Sequence, residues 1–136
     1  WLQLTGGAIG MAMSLSVGAA IACPGRQVLC LQSDGGGLYT NQALWTQARE
    51  KLDVVTLIWA NRSYETLRAE LSNVGVQNVG RKALDMLSLT DPVIDWVSLA
   101  GGLGVSAARV NTMEEFHVEL AGFLEKKGPG LIEVVL

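Results

Sequence analysis

Charged side chains are scarce. They make up 17% of the 136 residues, and none occurs in the first 24. The net charge is −3, and Arg81-Lys82 and Lys126-Lys127 are the only adjacent basic pairs. That leaves no basic face for nucleic acid. Two cysteines, Cys23 and Cys30, cannot build a disulfide framework. Cys30 lies in an apolar run and reads as a buried free thiol, which fits a reducing, cytoplasmic setting. The single histidine, His117, has no cysteine or aspartate at a ligand spacing and reads as a surface residue. The uncharged start lacks a basic leader, and Gly6, Gly7, Gly10, Ser14, Ser16 and Gly18 dilute its hydrophobicity. Neither a signal peptide nor a membrane span is expected from it. No repeat, low-complexity tract or internal linker is visible.

What is abundant is apolar residues, at 49%. A chain of this length suits a single domain with one core, 1–136. The apolar content points to strands buried on both faces or to a large partner interface. Leu2 to Thr5 reads as a short strand or the end of one. Ile9 to Ala22 reads as a buried helix of small residues, stopped by Pro24-Gly25. Val28 to Gln32 is a strand. Tyr39 to Leu52 is a helix, with Ala43, Leu44, Gln47 and Ala48 near one face and Arg49, Glu50 and Lys51 at its solvated end. Trp45 reads as a core or interface aromatic. Val54 to Ala60 is a continuous β-branched run, as a central parallel strand requires.

The pattern then weakens. Tyr64 to Leu71 reads as a short helix and Ser72 to Lys82 as a mobile loop. Asp91-Pro92 reads as a helix start, with Val93, Ile94, Val97 and Ala100 at core spacing and Gly101-Gly102 at its end. Gly104 to Val110 is a strand. Thr112 and Glu115 form a capping box for a last helix, whose apolar stripe is Met113, Phe116, Leu120 and Leu124. Gly128-Pro129-Gly130 turns the chain into the final strand, Leu131 to Leu136. Strands alternating with helices imply an α/β three-layer sandwich with a mostly parallel central sheet.

Two oxygen-bearing side chains stand out. Asp34 follows the strand at 28–32, and Asn61 follows the strand at 54–60, with room for one crossover helix between them. In a parallel sheet both emerge at the carboxyl edge, where open α/β sheets bind ligands. Asp34, the Asn61 side-chain carbonyl and a backbone carbonyl near Ser63 could occupy three positions around Mg²⁺, which otherwise favours water and phosphate oxygens. The run Gly35-Gly36-Gly37 lets backbone N–H groups approach a phosphate closely.

The stretch Ser33-Asp34-Gly35, a crossover helix, then Ala60-Asn61 resembles the cofactor signature of thiamine-diphosphate enzymes, Gly-Asp-Gly followed by Asn-Asn. The text from Leu38 to Ala48 is similar to the helix of the acetolactate synthase and benzoylformate decarboxylase group. The resemblance runs from Gly6-Gly7 to Leu131-Ile132-Glu133-Val134. Ser33 departs from the first glycine of the triplet and Ala60 from the first asparagine.

The resemblance implies the thiamine-diphosphate-binding fold, with thiamine diphosphate and Mg²⁺ as cofactors. It implies metal ligation by Asp34, Asn61 and the carbonyl at Ser63. Cofactor contacts are expected from Gly6, Gly7, Ala8, Ser33, Asp34, Gly35, Gly36, Asn61, Ser63 and Tyr64. It further implies that the segment Ser72 to Lys82 closes over the diphosphate and helps shape the substrate pocket. The expected whole enzyme decarboxylates a 2-oxo acid, with or without carboligation, as a lyase or transferase.

No catalytic residue is expected in this chain. The glutamate that activates the cofactor's pyrimidine belongs to a pyrimidine-binding domain of the same or another subunit, to which nothing here corresponds. The chain therefore reads as a fragment of a longer polypeptide or a small subunit, inactive alone, within a homo-oligomer (dimer or tetramer). Two alternatives stand beside this. One is a non-catalytic relative that kept the fold, motivated by Ser33 and Ala60. The other is a Rossmann- or flavodoxin-type nucleotide-binding domain, which lacks its Gly-x-Gly-x-x-Gly fingerprint here.

Overall fold

Val54–Ala60 forms the central strand, β2, and all but one of its residues are buried. The computed structural model describes residues 1–3 and 6–136. Strand β1 (Val28–Ser33) pairs with one side of β2 and β4 (Gly130–Val135) with the other, and β3 (Ser106–Val110) pairs with β4. All three pairings are parallel, in the order β1-β2-β4-β3. The helices are α1 (Met11–Ala22), α2 (Asp34–Gly37), α3 (Ala43–Arg49), α4 (Glu65–Asn73), α5 (Arg81–Met86), α6 (Trp96–Gly102) and α7 (Met113–Glu125). None is long and apolar enough to cross a membrane.

Alternation along β2 builds two cores, because successive side chains leave opposite faces of a strand. Val54 and Ile58 join Met13, Leu44, Trp96 and Leu131 beneath α1, α3 and α6. Val55 and Leu57 join Ile132, Val134, Phe116 and Phe123 beneath α7. Each fully buried aliphatic side chain of this kind contributes about 1.5–3 kcal/mol. Helices thus lie on both faces of the sheet, the expected three layers. Burial on both faces holds for β2 and β4 but not for β1, where Leu29 and Leu31 are exposed.

Several boundaries differ from expectation. The helix expected over 39–52 is confined to α3. Tyr39 and Thr40 instead close turns on Gly36 and Gly37, and Lys51 takes a positive φ of 52° that ends the helix. The stretch 72–82 is not one loop. Ser72 and Asn73 complete α4, and Arg81 opens α5. Asp91-Pro92 does not start a helix. Asp95 does, because its carboxylate accepts from the Ser98 N–H at 3.2 Å. Val93 is exposed, and Trp96 takes the buried position.

On α7 the buried pair is Phe116 and Phe123, whereas Met113 and Leu124 are exposed. Thr112 accepts from Glu115 N–H as expected, but Glu115 returns its bond to Asn111 N–H rather than to Thr112. Trp45 is half exposed, with Arg49 stacked 5.3 Å from its ring centre. Of the strand expected over 2–5, Leu2 and Gln3 form no regular structure, and the remainder lies outside the described residues.

Candidate functional site

The carboxyl ends of β1 and β2 lie side by side, with Ser33 in register with Trp59. Asp34 therefore leaves β1 where Ala60 and Asn61 leave β2. Ser33 remains extended and caps α2, its hydroxyl oxygen accepting from Gly36 N–H at 3.3 Å. That short turn lifts Asp34 off the strand and buries it to 2% exposure.

Both Asp34 oxygens are held by main chain. Oδ1 accepts from Gly35 N–H at 2.8 Å, and Oδ2 accepts from Arg62 N–H at 2.7 Å. No cationic side chain pairs with Asp34 among the described residues. An ionised carboxylate buried without a counter-charge is costly, and two hydrogen bonds leave lone pairs available on both oxygens.

The second turn is equally ordered. Asn61 Oδ1 accepts from Ser63 N–H at 3.0 Å, the Asx turn typical of asparagine. Arg62 takes a positive φ of 55°, so its amide faces Asp34. Tyr64 N–H donates to the Leu87 carbonyl and Leu89 N–H to that of Arg62. The carbonyl of Ser63 takes no part in that pairing.

The structure thus brings the 33–37 and 61–64 turns together at two points. One is the Arg62 bond to Asp34. The other is Tyr64, whose ring so covers Gly35 that a Cβ there would lie 2.6 Å from it. A Cβ on Gly36 would lie 2.2 Å from Gln32 Nε2 and 2.9 Å from the Ser33 hydroxyl. These cradles admit glycine, and the donor set is one carboxylate, one side-chain amide and main-chain oxygen. That hard-oxygen set suits Mg²⁺ with a diphosphate. No group of three or more histidine, cysteine, aspartate or glutamate residues suited to a metal occurs among the described residues, and a site with a single carboxylate does not require one.

Gly6, Gly7 and Ala8 are exposed, and added Cβ atoms on the two glycines would meet nothing within 4 Å. Their link to the site runs through Gly10, which sequence reasoning passed over. It has a φ of 81°, and a Cβ there would lie 2.9 Å from the Gly36 carbonyl oxygen. Thr40 donates its hydroxyl to the Gly10 carbonyl. Also missed were the Arg62 amide, the Leu87 and Leu89 pairing and Trp96. None carries a local signal, since each acts through a contact distant in sequence.

A family model described as "Thiamine pyrophosphate enzyme, C-terminal TPP binding domain" matches residues 1–134. A Mycobacterium tuberculosis protein provisionally described as an acetolactate synthase large subunit, IlvX, is 52% identical across the whole chain and is covered over 27% of its own length. A benzoylformate decarboxylase of Pseudomonas aeruginosa is 35% identical over 94% of this chain and 23% of its own length. Among solved structures, a thiamine diphosphate-dependent 4-hydroxybenzoylformate decarboxylase of Rhodococcus jostii RHA1 superposes with a TM-score of 0.82 at 35% identity. That superposition covers 92% of this chain and 22% of the other. The chain thus spans about a quarter of the length of the curated relatives it matches. The family match replaces the Rossmann and flavodoxin alternatives. By its sequence over residues 1–134 and by its superposition, the chain belongs to the family of C-terminal TPP-binding domains of thiamine pyrophosphate enzymes.

Proposed function

We propose that this chain anchors thiamine diphosphate through Mg²⁺, as the diphosphate-binding part of an acetolactate synthase-like enzyme acting on 2-oxo acids. Asp34, the Asn61 side-chain oxygen and the main-chain carbonyl of Ser63 are the metal ligands. Gly35 and Gly36 line the turn beside the diphosphate, with their N–H groups given to Asp34 and Ser33, while Ser33, Tyr64 and the Gly6–Ala8 stretch border the cofactor. The single observation that carries this reading is Asp34, a carboxylate buried to 2% exposure whose partners are two N–H groups and no cation. A divalent cation supplies the missing counter-charge.

When bound, the cofactor supplies the carbanion chemistry that decarboxylates a 2-oxo acid, with or without ligation to a second carbonyl. The residues of this chain bind and orient. The Gly35 and Arg62 amides fix the Asp34 carboxylate before the metal arrives, which lowers the ordering cost of binding. Tyr64 packs the two turns together, and the strap at 87–89 braces the second through its bonds to Arg62 and Tyr64. The glutamate that activates the pyrimidine comes from a pyrimidine-binding domain of the same or another subunit, in a cytoplasmic homo-oligomer. This chain by itself is inactive.

Titrating Mg²⁺ and thiamine diphosphate into the full-length protein and its Asp34→Ala variant tests the reading. Metal-dependent affinity should fall by at least about a hundredfold, the equivalent of one lost charged ligand. Unchanged affinity overturns it. A second reading, a relative that keeps the fold without the cofactor, is favoured by Ser33, whose hydroxyl already occupies the Gly36 N–H. Failure of thiamine diphosphate to co-purify with the full-length protein would support it.

A further inference from the structure

We propose that Trp96 is a positioning residue for the metal-binding turn, its indole serving as the platform that sets the height of Asp34. This rests on the reading of Asp34 as a metal ligand. Trp96 is fully buried, yet its indole N–H has no acceptor among the described residues. A buried tryptophan ordinarily finds a partner for that N–H. The ring is therefore held for its shape.

Its outer edge lies directly beneath the glycine turn. A Cβ on Gly37 would lie 2.7 Å from Trp96 Cη2 and 3.1 Å from Cζ2. Gly37 is the last residue of α2, the single turn that begins at Asp34. A displacement of Gly37 is expected to move the turn that carries Asp34, and with it the bond to the Arg62 amide.

The platform is itself fixed. Asp95, the preceding residue, caps α6 through Ser98 N–H and accepts from Arg109 Nη2 at 2.7 Å. Arg109 Nε donates in turn to Glu133 Oε2 at 2.8 Å. Glu133 is buried in β4 at 1% exposure. The start of α6 is thereby tied to two strands of the sheet, while the ring it carries supports a turn at the end of a third. Close packing transmits such a displacement.

The test is a size-compensation cycle in the full-length protein. Gly37→Ala adds the methyl that collides with the ring, and Trp96→Phe removes the outer atoms it collides with. Two quantities are read: hydrogen exchange of the Arg62 amide in the metal-free protein, and metal-dependent affinity for thiamine diphosphate. Gly37→Ala should accelerate the exchange and weaken the affinity, each about tenfold or more, as an ångström-scale misplacement does. Trp96→Phe with Gly37→Ala should return both to within about threefold of Trp96→Phe alone, the signature of coupled neighbours.

The inference is overturned if Gly37→Ala leaves Arg62 exchange unchanged, or if the double variant is no better than Gly37→Ala. Should Gly37→Ala fail to fold while the double variant folds and binds, the ring is shown to be the obstacle and the inference stands. Failure of both to fold overturns it. If affinity proves indifferent to Asp34→Ala, the metal-site reading fails separately, and Arg62 exchange alone decides the role of Trp96.

Discussion

The amide of Arg62 donates to Asp34 Oδ2 at 2.7 Å, joining the ends of two neighbouring strands across 28 residues of sequence. It is the main chain of an arginine, and not its charge, that reaches the carboxylate. Arg62 adopts a left-handed backbone to present that amide, a conformation that side chains other than glycine, asparagine and aspartate rarely take. The carboxylate gains orientation from it.

Asp34→Asn should cost the protein its response to Mg²⁺. The asparagine keeps an acceptor for one of the two amides and turns its NH₂ toward the other, which loses its partner. In urea unfolding, Mg²⁺ with cofactor should stabilise the wild type and leave the variant unchanged, because only the aspartate is stabilised by what it binds. An equal metal-dependent gain in the variant would contradict the account of Asp34.

Arg109 is the counter-charge of Glu133, and removing it alone should cost more than removing the pair. Arg109→Met leaves the Glu133 carboxylate buried and unpaired. The arginine side chain is 40% exposed and Glu133 only 1%, so water tempers the loss to about 1–3 kcal/mol. Arg109→Met with Glu133→Leu should recover most of it in the same urea titration.

Asp95 adds an acid-side dependence. Hydrogen bonds from Ser98, through its side chain and then its N–H, hold the Asp95 carboxyl below its ordinary 3.8, with Arg109 adding to the effect. For a depressed carboxyl the stabilisation is complete above the unfolded value and is lost as pH falls through the folded one. Asp95→Asn should accordingly lose stability less steeply than the wild type below about pH 4. Thermal midpoints collected across that range would check this.

The two cysteines should part company in labelling. Burial pushes the Cys30 thiol from 9.0 up to about 11. A maleimide at neutral pH should modify exposed Cys23 rapidly and Cys30 only on unfolding, since the thiolate is the nucleophile. The raised value also makes stability full below 9.0 and progressively lost as pH climbs through about 11. Cys30→Ala should remove that alkaline loss.

Where sequence reading succeeded, the signal was local and repeated. Val54–Ala60 is apolar at every position because both its faces are covered, and it lay where the pattern put it. The adjoining strand-end positions of Asp34 and Asn61 were legible because the apolar runs Val28–Leu31 and Val54–Ala60 marked the two strands. Where reading failed, the deciding contact was remote. Thr40 is bound to Gly10, so the helix expected from Tyr39 begins at Ala43. Asp95 was passed over because Asp91-Pro92 offered a competing start signal; its cap on Ser98 is local, and only its bond to Arg109 is remote. Phe123 replaced Leu124 in the core because the direction of β4 selects which side of α7 faces it, and Phe123 packs on Gly130.

The order of elements, the parallel sheet and two oxygen donors at adjoining strand ends follow from the chain's own pattern of apolar runs, since periodicity and strand-end position are properties of neighbours. Folding in three dimensions alone decided that Asp34 would be gripped by the Arg62 amide, with Gly35 of its turn packed on Tyr64 and Gly37 on Trp96. Those relations depend on backbone angles at single residues and on the packing of segments far apart in the chain, and no short stretch of sequence encodes either.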